Sequence, residues 1–132
     1  MLAAVSRWAA SDPRIRGVTL VGSRARGKAR SDSDVDFVVL TEAHEALGGD
    51  TSWYSTFGSV ELVRSEQWGQ LAERRLRRPS GLEVEIGIAP VTWAKVDPID
   101  SGTREVVSHG GCEILYDPDG LLAALMRAVD QH

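Results

Sequence analysis

The sequence predicts an α+β fold: one mixed β-sheet with helices packed mainly on one face. Short apolar segments of strand length recur along the chain, at 15–21, 35–40, 59–63, 82–88 and 113–116. Segments with helical start and stop signals lie between and around them, at 2–10, 65–77, 102–109 and 121–129. The 132 residues suffice for one sheet with one core, so residues 1–132 are read as a single domain.

Residues 2–10 form a short helix that Asp12-Pro13 ends. Ile15, Val18, Leu20 and Val21 mark a first strand over 15–21. Gly22-Ser23 turns the chain, and a short basic helix is expected from Ser23 to about Lys28. A second strand follows at 35–40, then a loop or helical turn over 41–50 that ends in Gly48-Gly49. Ser59 to Val63, with the aromatic residues before it, reads as a strand. Ser65-Glu66-Gln67-Trp68 carries a cap signal for a helix running to about Arg77, broken by Pro79-Ser80-Gly81. The arginines 74, 75, 77 and 78 would then complement the dipole at that helix's C-terminal end. Leu82 to Ile88 alternates apolar and polar as a strand does. A helix over 102–109, a strand over 113–116 and a final apolar helix over 121–129 complete the order.

The chemistry concentrates between the first two strands. Gly22-Ser23 is followed by ten residues and then Asp34-Val35-Asp36, which opens an apolar strand. Residues two apart on a strand share a face, so both carboxylates point one way. Two adjacent carboxylates repel unless a cation lies between them, and a hard divalent ion, Mg²⁺ above all, suits oxygen ligands. A Gly-Ser turn offers backbone N–H groups and a hydroxyl to phosphate. The pattern G-S-x10-D-x-D, with Arg24-Ala25 and Gly27 after the Gly-Ser pair, resembles the nucleotidyltransferase superfamily of the DNA polymerase β type. It is similar to the small minimal nucleotidyltransferases and, more distantly, to aminoglycoside nucleotidyltransferases.

The resemblance implies a polymerase β-type core and transfer of a nucleoside monophosphate, by family default AMP from ATP, to an acceptor hydroxyl. Pyrophosphate would leave, and two Mg²⁺ ions would assist. Asp34 and Asp36 would bind the metals, and Gly22, Ser23 and Arg24 the triphosphate. A third carboxylate is implied on a later strand. Glu85 is preferred for its Val-Glu-Ile context, and Glu83 on the same face is the alternative. The family more often has Asp there, so Glu would reach about one methylene further. The acceptor is a small molecule or a protein. An antitoxin-like role, binding or AMPylating a helical HEPN-type partner, and a silent nucleotide-binding module are the other readings. A homo-oligomer is also compatible.

Two overlapping motifs fail. Gly22 to Lys28 matches a P-loop, but Ala29 stands where the magnesium-binding hydroxyl must be. Asp32, Asp34 and Asp36 mimic an EF-hand start, yet Phe37 and Ala43 replace the required Gly and Glu. A net charge of −4 argues against a dedicated nucleic-acid binder. No apolar run approaches the roughly twenty residues of a membrane span, and no leader pattern is read in the first ten residues. Cys112 is the single cysteine, expected as a buried structural thiol, and a reducing cytoplasm is the simple reading.

Overall fold

The computed structural model describes residues 1–25, 27 and 34–130, with the backbone alone for 109 and 110. The elements run α1 (Leu2–Ser11), β1 (Ile15–Val21), β2 (Val35–Thr41), α2 (His44–Gly49), β3 (Glu61–Trp68), β4 (Leu71–Arg77), β5 (Glu83–Pro90), α3 (Ser101–Gly110), β6 (Cys112–Tyr116) and α4 (Leu121–Asp130). Two 3₁₀ segments, Ser52–Phe57 and Val91–Ala94, lie between α2 and β3 and between β5 and α3. The six strands form one sheet in the order β3-β4-β5-β2-β1-β6. It is mixed: β2 and β5 run parallel, and the other neighbours are antiparallel.

The strand period of two sorts side chains onto two faces. Val35, Phe37 and Val39 of β2 join Val84, Ile86 and Ile88 of β5 in one apolar layer, closed by Val5, Ala9, Leu47, Trp53 and Phe57. Val38 and Leu40 point the other way and meet Trp93, Val107, Leu122 and Leu125. The helices are thus distributed over both faces, with α1 and α2 on one and α3 and α4 on the other. Strands buried on both faces read as continuous apolar runs, which is how 15–21 and 35–40 appear in the sequence. Trp8 stacks on Trp53 at 5.3 Å, and Trp53 Nε1 donates to Leu47 O at 3.0 Å. Trp53 is therefore a core residue. Cys112 is half-buried against Thr19 Oγ1 at 2.9 Å, and burial pushes its thiol pKa up.

The helix expected over 65–77 is instead a β-hairpin. Glu66 pairs with Glu73 and Trp68 with Leu71, around a turn at Gly69-Gln70. Gly69 has a φ of +57°, the left-handed conformation that two-residue hairpin loops demand. The cap signal at Ser65 is confined to one turn, whereas pairing of β4 to β5 over 72–77 ties the segment into the sheet and decides the outcome. The four arginines accordingly have no helix dipole to complement. The aromatic residues before Ser59 form the 3₁₀ segment, and β3 begins at Glu61. After Gly22, residues 23–25 form a turn, and the remainder of the expected basic helix, Arg26 and Lys28, lies outside the described residues. No helix among the described residues is long and apolar enough to cross a membrane.

Candidate active site

The sheet register assembles the site. Val21, the last residue of β1, pairs with Asp36, and Asp36 pairs with Glu85 across the parallel β2–β5 contact. Glu85 in turn pairs with Arg75 of β4, and Glu83 with Arg77. The end of β1 and the starts of β2 and β5 thus present Gly22, Asp36 and Glu85 side by side. Asp34 precedes β2 and stands two residues before Asp36, on the same face.

Gly22 is required by this closeness. Its φ is +78°, and a Cβ placed there would lie 2.5 Å from Asp36 Oδ2. The bare backbone of the turn therefore abuts the Asp36 carboxylate. Asp36 is half-buried, and its Oδ1, which is buried, has no hydrogen-bond partner among the described residues. Burial, and then the charge of Asp34, push its pKa up to about 6, against the opposing pull of Arg75. A buried carboxylate oxygen without a partner is costly unless something completes it.

A guanidinium neutralises the neighbouring acids. Arg75 Nη1 donates to Asp34 Oδ2 at 3.1 Å and to Glu83 Oε1 at 2.6 Å, while its Nη2 is ion-paired with Glu85. Glu83 is further held by Arg77, at 2.9 Å from Nε and 2.8 Å from Nη2. These two arginines, Arg75 first, hold the Glu83 carboxyl below its ordinary range. Arg64 bonds Glu73 at 2.7 Å and lies 3.7 Å from Glu85.

Gly22, Asp36 and Glu85 line a cavity of about 370 Å³. Glu73 and Glu105 add acid to its wall, and Val38, Leu71 and Val106 supply apolar surface. Among the described residues, no lysine or arginine lines it, nor do Ser23, Asp34 and Glu83. Arg24 instead borders a separate hollow beside Val35, Arg78 and Leu82, although its charge still acts on Asp36. Of the expected site residues, then, the structure brings Gly22, Asp36 and Glu85 onto one surface and links Asp34 and Glu83 to it through Arg75. Among the described residues, no three His, Cys, Asp or Glu side chains are arranged to hold a metal ion. The donor chemistry nevertheless fits a hard divalent cation: oxygens of Asp34, Asp36 and Glu85 lie on adjoining strands, and one Asp36 oxygen is buried with no partner among the described residues.

Sequence reasoning missed Arg75, Glu73 and Glu105. A signal for the first two exists, because Glu73, Arg75 and Arg77 share one strand face once 71–77 is read with period two. Glu105 carries no such signal; packing of α3 over the sheet brings it to the cavity.

A family model described as streptomycin adenylyltransferase matches residues 1–132. No curated protein matches the chain significantly in sequence. Among solved structures, an aminoglycoside 6-adenyltransferase from Bacillus subtilis is similar over 74% of this chain and 36% of its own, with 18% identity and a TM-score of 0.57. A nucleotidyltransferase-like protein from Exiguobacterium sibiricum aligns over 95% of this chain and 35% of its own, with 16% identity and a TM-score of 0.46. A cytoplasmic RNA terminal U-transferase aligns over 65% and 25%, with 22% identity and a TM-score of 0.43. The chain thus spans about a third of the length of the first two. With a polymerase β-like α+β sheet, a Gly-Ser turn set against paired aspartates and a family match over residues 1–132, this chain belongs to the streptomycin adenylyltransferase family of nucleotidyltransferases.

Proposed function

We propose that this chain transfers AMP from ATP to a hydroxyl group of a small, positively charged acceptor. The observation that carries the reading is the acidic cavity floored by Gly22, Asp36 and Glu85. Among the described residues its lining holds four carboxylates and no basic side chain; Arg64 and Arg75 offset Glu73 and Glu85 from outside the lining, and the acid that remains favours an amine-bearing acceptor. The two apolar layers share one sheet, which supports reading residues 1–132 as one nucleotidyltransferase unit.

Asp34, Asp36 and Glu85 would hold Mg²⁺. When bound, the metal supplies charge neutralisation at the triphosphate and acidifies a coordinated hydroxyl. The Gly22-Ser23 turn presents backbone N–H groups to phosphate oxygens, with Arg24 adding positive charge at the triphosphate end. Glu85 lies beside Asp36 and takes the proton of the acceptor hydroxyl. The acceptor oxygen forms its bond to the α-phosphorus as the bond to pyrophosphate breaks. Both glutamates meet arginines, but Glu83 is hydrogen-bonded by two of them and stands outside the cavity lining, whereas Glu85 lines the cavity and is the better placed for proton abstraction. The apolar wall of Val38, Leu71 and Val106 limits water at the reacting group.

The test is pyrophosphate release from ATP and Mg²⁺ with three acceptor sets: aminoglycosides, neutral polyols, and serine- or tyrosine-bearing proteins. Turnover should be confined to cationic hydroxylic acceptors and lost in Asp34→Ala and Asp36→Ala, with circular dichroism unchanged. Wild-type rates in Asp36→Ala would refute the reading. Label transferred only to a small helical protein would favour the partner-protein role, and nucleotide binding without pyrophosphate release the silent module.

A further inference from the structure

Arg75 stands where the site's own chemistry calls for a cation. Its side chain is 17% exposed, and its two terminal nitrogens meet three carboxylates, from Asp34, Glu83 and Glu85. A guanidinium is a planar, permanently charged fork, suited to bridging acids that would otherwise repel. Two of these three carboxylates, Asp34 and Glu85, are those that the proposed reaction assigns to metal. The third, Glu83, is anchored independently by Arg77. Asp36, whose Oδ1 lacks a partner among the described residues, is not one of the acids that Arg75 engages.

We propose that Arg75 is a positioning residue that serves as the resident counter-ion of the carboxylate cluster. It holds Asp34 and Glu85 in place in the metal-free protein and gives both up when a divalent cation binds, remaining on Glu83. The inference rests on the reading of Asp34, Asp36 and Glu85 as metal ligands. Glu83 then has a distinct role, as the acid on which the displaced guanidinium stays. The same acids that attract the metal are thereby kept from scattering when it is absent, and metal affinity is set by the exchange of one cation for another.

The probe is Mn²⁺ alone, titrated into the full chain without nucleotide and followed by the electron paramagnetic resonance of free Mn²⁺. Arg75→Met, which keeps length and removes charge, should tighten Mn²⁺ binding about tenfold or more. A unit positive charge within a few ångströms costs an arriving cation at least that much near a protein surface. Arg75→Met should also melt below wild type in EDTA and recover more than wild type on adding Mn²⁺. In wild-type protein, Mg²⁺ should shift one arginine guanidinium resonance in ¹⁵N-labelled samples, a readout that needs no variant to fold. Unchanged or weaker Mn²⁺ binding in Arg75→Met, or no guanidinium responding to Mg²⁺, overturns the proposal. Asp36→Asn separates this from the underlying reading. If Asp36→Asn abolishes Mn²⁺ binding but Arg75→Met does not tighten it, only the counter-ion role falls. If Asp36→Asn binds Mn²⁺ like wild type, the metal-ligand assignment falls with it.

Discussion

Gly22→Ala separates the cost to the fold from the cost to the chemistry. The added methyl would lie 2.5 Å from Asp36 Oδ2, 3.4 Å from Cγ and 3.6 Å from Cβ. Only the terminal oxygen collides, so a rotation of the carboxylate relieves the clash while β1 and β2 stay paired. The left-handed φ of +78° costs an alanine about 1–2 kcal/mol. An off-rotamer Asp36 adds about 0.5–1.5 kcal/mol. Stability should therefore fall by about 1.5–3.5 kcal/mol, measured by urea unfolding in EDTA. Transfer should fall much further, because displacing a reacting group by about 1 Å can cost on the order of 100-fold. Gly120→Ala is the control: its φ is +72°, and a Cβ there has nothing within 4 Å. It should lose about 1–2 kcal/mol and keep its transfer rate. If Gly22→Ala retained at least half of the wild-type rate, or if the two variants lost transfer equally, the Gly22–Asp36 contact would have no catalytic meaning.

Further outcomes follow from the same geometry. The pKa of Asp36, raised from its ordinary 3.8 to about 6, means that the metal-free fold favours the protonated acid. That stabilisation is complete below about pH 4 and is lost as pH rises through 6. The full shift corresponds to roughly 3 kcal/mol, and solvent reaching the site reduces this to about 1–2 kcal/mol. Asp36→Asn should therefore be the more stable protein at pH 8 in EDTA by about that amount, but not at pH 4; equal urea midpoints at pH 8 would contradict the burial argument. Glu85→Gln should lower kcat by about 100-fold or more as a lost general base. Glu83→Gln should leave substantial activity and mainly weaken the hold on Arg75, so parallel steady-state assays that ranked them the other way would reassign the third carboxylate. Glu105→Gln should raise KM for a cationic acceptor by a few-fold, as suits an exposed charge, and leave KM for ATP unchanged; an unaltered acceptor KM would remove α3 from the acceptor site.

The site was legible to the extent that its parts are local. Gly22-Ser23 and Asp34-Val35-Asp36 announce themselves by spacing, and the alternation of Val84, Ile86 and Ile88 with Glu83 and Glu85 places both acids on the polar face of one strand. Those residues occupy the expected strand ends, and β5 lies beside β2. Sequence alone left Glu83 and Glu85 as alternatives, because period two treats them identically. They diverge through neighbours from β4: Arg75 and Arg77 both grip Glu83, while Glu85 shares Arg75 but faces the cavity.

By itself, then, the chain's order of residues determined the family, the paired aspartates, the turn that abuts them and the strands that carry them. These depend on steric rules and periodicities acting over a few residues. The β3–β4 hairpin in place of a helix, the seating of Arg75 among three acids, the burial of Trp53 and the arrival of Glu105 at the cavity were decided only by the tertiary structure. Each depends on strand register or on helix-on-sheet packing, which no single segment's own residues specify. Local propensity is too weak to outweigh the hydrogen bonds and buried area that such pairing brings.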